Sequence, residues 1–350
     1  MTSGENVPST RFRVRQFVEP LLERGVAVAE YHLSDSKYLG GSRAGYPFRG
    51  ARKLLGRIPG VLRTRMADVT WLERELIPGR VTLEGLTKRP RLLDVDDALW
   101  LNGAAGFSER IARLCDGVIA GNEFLAEHYR SRGSRTWVVP TAVDTARFRP
   151  GAAPLPRPWT IGWTGSASTL PFLLEIEEAV AEFLRSRPEA RLLVVCDERP
   201  AFRHVPDGRW RFFPWSAAHE ADALREMDAG LMPLPDTEWA RGKCAFKMLL
   251  YFATGIPAVA SPVGMNAEVL GMAEAGHAAR TPREWVGALS ALCDDHAHAA
   301  ALGAAGRRLV EEHFSVGVVV PRLAAIFREV ALHGRFRAFP AAKVETAPRR

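Results

Sequence analysis

Short apolar runs alternate with amphipathic segments along the whole chain, which predicts βα units around parallel sheets rather than an all-β or all-α fold. In the first half the candidate strands are Val26–His32, Val69–Leu72, Arg91–Val95, Gly117–Ala120 and Thr136–Val139. Val14, Phe17, Val18, Leu21 and Leu22 fall at i, i+3, i+4, i+7 and i+8, the stripe of a helix that Pro20 should kink. Asn122 is placed to cap a helix over Glu123–Ser131 and Gly133 to stop it. A second series of strands follows at Thr160–Trp163, Arg191–Val195, Arg211–Phe213, Gly230–Met232 and Ala258–Ser261.

Between the two series, RPGAAPLPRP carries four prolines in ten residues and can form neither a helix nor a central strand. The organisation expected is therefore α/β, with two Rossmann-like domains facing each other across a cleft: residues 1–148, a linker at 149–158, and residues 159–317. A helix over 318–334 follows the completed second sheet and is placed to cross back onto the first domain, and the tail at 335–350 reads as disordered. The first amino-terminal strand is missing, because the Gly4–Ser9 loop and its helix start almost at Met1. Removing a strand from mid-sheet leaves two rows of unpaired backbone groups, so a true start upstream of Met1 is expected, with a domain lacking that strand as the alternative.

The length of 350 residues suits two domains, and 47% hydrophobic with 25% charged residues is the composition of a globular protein. No run of 18 apolar residues occurs and the amino terminus lacks a signal-peptide core, so neither a membrane span nor secretion is expected. The four cysteines are far apart with no CxxC pair, which disfavours a zinc site or disulfide framework and favours a reducing cytoplasm. A net charge of +7 allows nucleic acid, an anionic membrane or a phosphorylated substrate as partner. Without zinc-finger spacing or an RRM-like aromatic signature, nucleic acid ranks last and none is expected.

The stretch from Arg241 to Leu270, RGKCAFKMLLYFATGIPAVASPVGMNAEVL, is the most specific chemical signal. Lys243 and Lys247 are four apart, which predicts that both leave one helical face near its amino end, where unpaired N–H groups favour an anion. Gly255 and Pro257 then end the helix, Ala258–Ser261 reads as a buried strand, and its exit loop opens beside whatever the lysines hold. In IGWTGSAST a strand runs into Gly165 and Ser166 just before a helix, a turn that lets backbone N–H groups approach a pyrophosphate. The plain alternatives are a solvated lysine pair and an ordinary glycine-rich turn.

Six ordered blocks carry a family resemblance: SGENVPSTRFRV, LLDVDDALW, VIAGNEFLAEHY, VVPTAVDTARF, IGWTGSASTLPFL and GKCAFKMLLYFATGIPAVASPVGMNAEVL. Over roughly residues 3 to 330 the chain resembles the retaining GT-B glycosyltransferases of family 4. The resemblance implies an enzyme that moves a sugar from a nucleotide sugar, UDP- or GDP-linked, to a hydroxyl acceptor that is a glycan, a lipid-linked molecule or a small molecule. It implies a donor site in the carboxy-terminal domain, an acceptor site in the amino-terminal one, retention, and neither a catalytic metal nor a further cofactor.

Two departures stand out. The first loop of the second domain normally carries an Arg and a Lys for the diphosphate; here it has Trp163, Thr164 and Ser166, so the charge is assigned to Lys243 and Lys247 with Arg241. The family's Glu-x7-Glu pair is replaced by Gly242 and Leu250, so sugar and ribose hydroxyls need other partners, for which Asp236, Glu238, Asn266 and Glu268 are candidates. In the first domain DVDDALW puts Asp94, Asp96 and Asp97 at a strand's carboxyl edge, with Asp97 ahead of Asp96 as the acceptor of a hydrogen bond from the attacking hydroxyl. Asp-rich turns are common, and a metal site there lacks the spacing of a Ca2+ loop. Arg11 and Arg13, by resemblance, face the donor phosphate, and Trp215 is placed beside the nucleotide base or, equally, closes the core.

Arg49–Met66 mixes Arg52, Lys53, Arg57, Arg63 and Arg65 with Leu54, Leu55, Ile58, Val61 and Leu62. Apolar face down, it would lie on the inner face of an anionic membrane, whereas Gly56, Pro59 and Gly60 weaken the helix and favour a solvated basic segment. Two functions of other classes remain beside glycosyl transfer: a catalytically weak, nucleotide-binding scaffold of this fold, and a sugar-nucleotide epimerase, which would need no acceptor.

Overall fold

A computed structural model describes residues 1–4, 7–33, 46–151 and 157–333. The amino-terminal lobe is built on a parallel sheet, β1 (Thr70–Glu73), β2 (Arg91–Val95), β3 (Gly117–Ala120) and β4 (Thr136–Val138), in the order β1-β2-β3-β4. Its helices are α1 (Pro8–Arg13), α2 (Val18–Leu22), α3 (Tyr46–Arg63), α4 (Phe107–Leu114) and α5 (Glu123–Arg130). Asn122 caps α5, its side-chain oxygen accepting from the Leu125 N–H.

The carboxy-terminal lobe has six parallel strands: β5 (Thr160–Thr164), β6 (Arg191–Cys196), β7 (Trp210–Pro214), β8 (Ala229–Met232), β9 (Ala258–Ala260) and β10 (Gly276–Ala278). They run β10-β9-β8-β5-β6-β7, so the order reverses between β5 and β8, where open parallel sheets place their ligands. Around them lie α6 (Leu170–Glu175), α7 (Glu177–Ser186), α8 (Glu220–Arg225), α9 (Glu238–Arg241), α10 (Phe246–Ala253), α11 (Met265–Met272), α12 (Pro282–Asp294) and α13 (His296–His313). A Gly255 φ of +75° lets the chain turn after α10, as its sequence predicts. Strand β10 has no counterpart in the sequence reading, since GHA lacks an apolar run.

Helix α14 (Val316–His333) returns to the amino-terminal lobe. Its Val319, Val320, Leu323 and Phe327 share one apolar cluster with Val14, Phe17, Leu21 and Trp71, the Trp71 and Phe327 rings meeting edge-on at 5.0 Å. This burial ties the lobes together at a distance from the cleft. The tail at 335–350 and the centre of the linker lie outside the described residues.

The strand expected at Val26–His32 does not form a ladder strand. Met1 instead lies against β1, its N donating to Trp71 O at 2.8 Å and its O accepting from Glu73 N at 3.0 Å, while Thr2 N donates to Tyr31 O at 3.0 Å. Residues Met1 and Thr2 therefore satisfy backbone groups between β1 and the Tyr31 segment, where a full strand was expected.

Candidate functional site

The two lobes meet around a cavity of about 500 Å3 that lies at the carboxyl edges of both sheets. Asp96, Asp97, Arg11, Phe12, Arg13 and Thr141 form its amino-terminal wall, and Gly165, Ser166, Trp215, Glu220, Lys243 and Lys247 the other. A cavity of this size, with a few convergent polar groups in apolar walls, is what a small-molecule site requires.

The lysines reach the cavity differently from the sequence reading. They do not share a helix: α9 ends at Arg241, Lys243 lies in the turn that follows, and Lys247 stands in the first turn of α10. Ala245 joins them at a left-handed φ of +51° and no side chain caps α10, so its unpaired N–H groups add a positive dipole end beside the two ammonium groups. Lys243 Nζ donates to Asp97 Oδ1 of the opposite lobe at 2.7 Å. Lys247 lies 5.8 Å from the centre of the Trp163 ring, and burial, reinforced by the charge of Lys243, lowers its pKa to about 8.

Across the cavity Asp96 and Asp97 follow β2 and share Arg74, whose Nε lies 3.7 Å from Asp96 Oδ1 and whose Nη2 lies 3.2 Å from Asp97 Oδ2. Burial raises the Asp96 pKa to about 6, with the neighbouring Asp97 charge adding to the rise and Arg74 opposing it. Burial also pushes Asp97 upward, but Lys243, Arg74 and Lys247 outweigh it and hold its carboxyl below the usual range. The two acids are thus driven apart, Asp96 toward proton exchange near neutrality and Asp97 toward permanent charge. Arg74 adopts a left-handed φ of +61°, rare for a side chain of this size. Its position at the end of β1 was the signal available in the sequence.

Arg13 lines the cavity but is committed to the fold. It is 1% exposed, pairs with Asp94 at 2.9 Å and donates to Val139 O at 2.6 Å, while Trp71 Nε1 donates to the other Asp94 oxygen at 3.1 Å. Arg11 spans the lobes, donating to Glu220 Oε2 at 2.8 Å between the Phe12 and Trp215 rings. Glu220 also accepts from Trp215 Nε1 at 3.1 Å. Arg11 Nη1 and Arg13 Nη2 are buried without a hydrogen-bond partner, so each arginine retains a donor at the cavity wall.

The Gly165–Ser166 turn does not offer the backbone cradle that its glycine suggests. Gly165 N donates to Val195 O, Ser166 N to Thr169 Oγ1 and Ala167 N to Asp197 Oδ1. What Gly165 provides is space, since a Cβ there would come within 2.3 Å of the Trp163 ring. The positive groups that face the cavity are consequently side chains and the amino end of α10.

Five expected contributors, Asp236, Glu238, Arg241, Asn266 and Glu268, lie away from the cavity lining. Arg241 pairs with Asp236 at 2.8 Å on the exposed surface. Asn266 is buried and donates to Ser261 O at 3.1 Å, and Glu268 is exposed on α11. Glu238 accepts from Trp100 Nε1 at 2.8 Å and so joins the lobes. Among the described residues no cluster of three or more His, Cys, Asp or Glu side chains could hold a metal ion.

Residues 160–295 match the family model described as glycosyl transferases group 1. By structure the chain is similar to the sucrose-phosphate synthase of Thermosynechococcus elongatus, with a TM-score of 0.68 at 14% identity over 94% of this chain and 95% of that one. It is also similar to HepE from Anabaena in complex with UDP, with a TM-score of 0.60 at 14% identity over 89% of each chain. The pneumococcal O-GlcNAc transferase GtfA in complex with UDP and GlcNAc gives a TM-score of 0.56 at 14% identity, over 76% of this chain and 57% of that one. No curated protein sequence matches significantly. The carboxy-terminal lobe is thus similar to glycosyl transferases group 1 over residues 160–295, and the two-lobed chain has the GT-B fold.

Proposed function

We propose that this chain transfers a glycosyl unit from a nucleoside-diphosphate sugar to a hydroxyl acceptor, with retention and without a catalytic metal. The observation that carries this reading is the convergence of Lys243, Lys247 and the uncapped amino end of α10 on a cavity whose opposite wall presents Asp96 and Asp97. Breaking the bond to the anomeric carbon places negative charge on the departing diphosphate. Preorganised cations in a cleft that excludes water stabilise that charge most effectively. In this site the lysines take the role that a divalent cation would otherwise fill, and Arg11 Nη1 adds a donor.

Asp96 is better suited than Asp97 to accept a hydrogen bond from the attacking hydroxyl and, in turn, its proton. Its pKa near 6 matches proton exchange near neutral pH, whereas Asp97 is neutralised by Lys243 and Arg74. Trp215 offers an aromatic face for the base at the Arg11 end of the cavity. Retention enters from the family resemblance and is read by NMR from the anomeric configuration of the first product. UDP is the first nucleotide to test, since the structures of HepE and GtfA name it as their ligand.

A nucleotide-binding protein without turnover is the second reading, favoured by Gly242 and Leu250 in place of the paired glutamates and by the engagement of Glu238 with Trp100. Donor consumption measured with and without acceptors decides. Acceptor-dependent loss of donor supports transfer, acceptor-independent conversion indicates an epimerase, and binding without loss indicates a scaffold.

A further inference from the structure

The basic segment before β1 is a helix, and its charges are not where its sequence suggests. Arg57 of α3 is 2% exposed and points inward, donating to Thr2 O at 2.6 Å and to Leu76 O at 3.1 Å, and Lys53 is 8% exposed. Val61 packs into the amino-terminal core. With two cations and a valine turned in, the opposite face is left to Leu55, Ile58 and Leu62, exposed by 64%, 40% and 52%, and to Met66 just beyond, exposed by 89%.

These four residues follow at intervals of three, four and four, which places them on one stripe along α3 and the turn after it. Large side chains on a monomer's surface are usually scattered singly, so an aligned row needs a partner. Arg52, Arg63 and Arg65 are exposed beside the row, and no acidic residue occurs from Tyr46 to Met66. An apolar row bordered by one sign of charge suits a surface that is greasy inside and anionic outside.

We propose that the outer face of α3 docks the protein on an anionic lipid bilayer, with Leu55, Ile58, Leu62 and Met66 entering the acyl boundary and Arg63 and Arg65 meeting lipid phosphates. Among the described residues no helix is long and apolar enough to cross a membrane, so the contact is a surface one. Arg57 anchors α3 to Leu76, in the segment that follows β1, on the same sheet edge that carries Asp96 and Asp97 after β2. Docking would therefore hold the amino-terminal side of the cleft in fixed relation to the bilayer. A lipid-borne hydroxyl acceptor could then be delivered to it.

Co-sedimentation of the full chain with phosphatidylcholine vesicles, with and without phosphatidylglycerol, tests the proposal. Wild-type protein should sediment with the anionic vesicles and remain in solution with neutral ones. The Leu55→Ser/Ile58→Ser/Leu62→Ser variant and the Arg63→Glu/Arg65→Glu variant should each lower the vesicle-bound ratio by about tenfold or more. Both sets of positions are exposed, and an unchanged melting temperature and far-UV circular dichroism would certify the fold, so the result stands apart from the success or failure of the glycosyl-transfer reading. Wild-type binding no stronger to anionic than to neutral vesicles would overturn the proposal. So would a serine variant that still binds vesicles fully, or one whose sole change is from dimer to monomer, which would make the row a subunit interface.

Discussion

Lys243 Nζ lies 2.7 Å from Asp97 Oδ1, an ion pair that joins the two lobes across the candidate site. One of the two cleft lysines is therefore already neutralised by the opposite wall, and under the proposed function an incoming diphosphate would share or displace that carboxylate. Removing the carboxylate charge should release the ammonium group for the ligand. Asp97→Asn is expected to leave UDP affinity intact or tighten it by up to about fivefold, while lowering turnover. Calorimetric titration beside an initial-rate assay would show it, and a large loss of affinity would indicate that Asp97 itself orders the donor site.

The titration of the site predicts a bell-shaped rate profile. Asp96 must be ionised to accept a proton, so kcat/KM should rise with pH through about 6. Lys247 must be protonated to meet the diphosphate, so kcat/KM should fall as pH passes about 8. Asp96→Asn should abolish the acidic limb along with most activity, whereas Lys247→Arg should carry the alkaline limb upward. A flat profile between pH 5 and pH 9 would argue against both assignments.

Lys247 also links function to stability. Its folded pKa, about 8, lies below the usual lysine value, so the unfolded chain binds the additional proton between those two limits. Stability from this group should therefore rise with pH across that interval, and below it the unfavourable charge burial is fully felt. Lys247→Met is expected to raise the stability of the ligand-free protein by about 2 kcal/mol at neutral pH while weakening nucleotide binding. Thermal melts with and without UDP would separate the two effects.

Arg13 lines the cavity but serves the fold. Its guanidinium balances Asp94 in a pocket where both side chains are almost fully buried, and removing it strands a carboxylate. Arg13→Met should cost about 3–5 kcal/mol in urea unfolding, and adding Asp94→Asn should recover part of that. Arg11→Met also removes a buried partner, but Glu220 keeps Trp215 Nε1 and has Arg147 3.7 Å away, so the variant should cost less stability than Arg13→Met and weaken nucleotide binding if Arg11 meets the donor.

Most of the strand positions were legible in the sequence because buried parallel strands are short continuous apolar runs, as in Arg91–Val95 and Gly117–Ala120. Strand β10 escaped because its Gly-His-Ala lies at a sheet edge, half exposed. Asp96, Asp97, Lys243 and Lys247 could be found as strand-edge acids and loop cations, and the structure brings all four to one cavity. Their mutual geometry was not legible. A left-handed Ala245 interrupts the helix that periodicity extended back to Lys243, and an Ala gives no warning of that conformation. Arg74 had only its place at the end of β1 as a signal and Glu220 had none, since each acquires its meaning from partners more than twenty or two hundred residues away. At the Gly165 turn the spacing matches a phosphate loop, but a sequence cannot show that its N–H groups are bonded to Val195, Thr169 and Asp197.

The central claim, that Lys243 and Lys247 together hold the donor's diphosphate, is tested most directly by titrating UDP and GDP into the wild-type chain and the Lys243→Gln/Lys247→Gln variant under matched folding. The account predicts that the variant, melting as a folded protein, loses about two orders of magnitude or more in affinity for the nucleotide the wild type prefers. Equal affinity in the two proteins would contradict it.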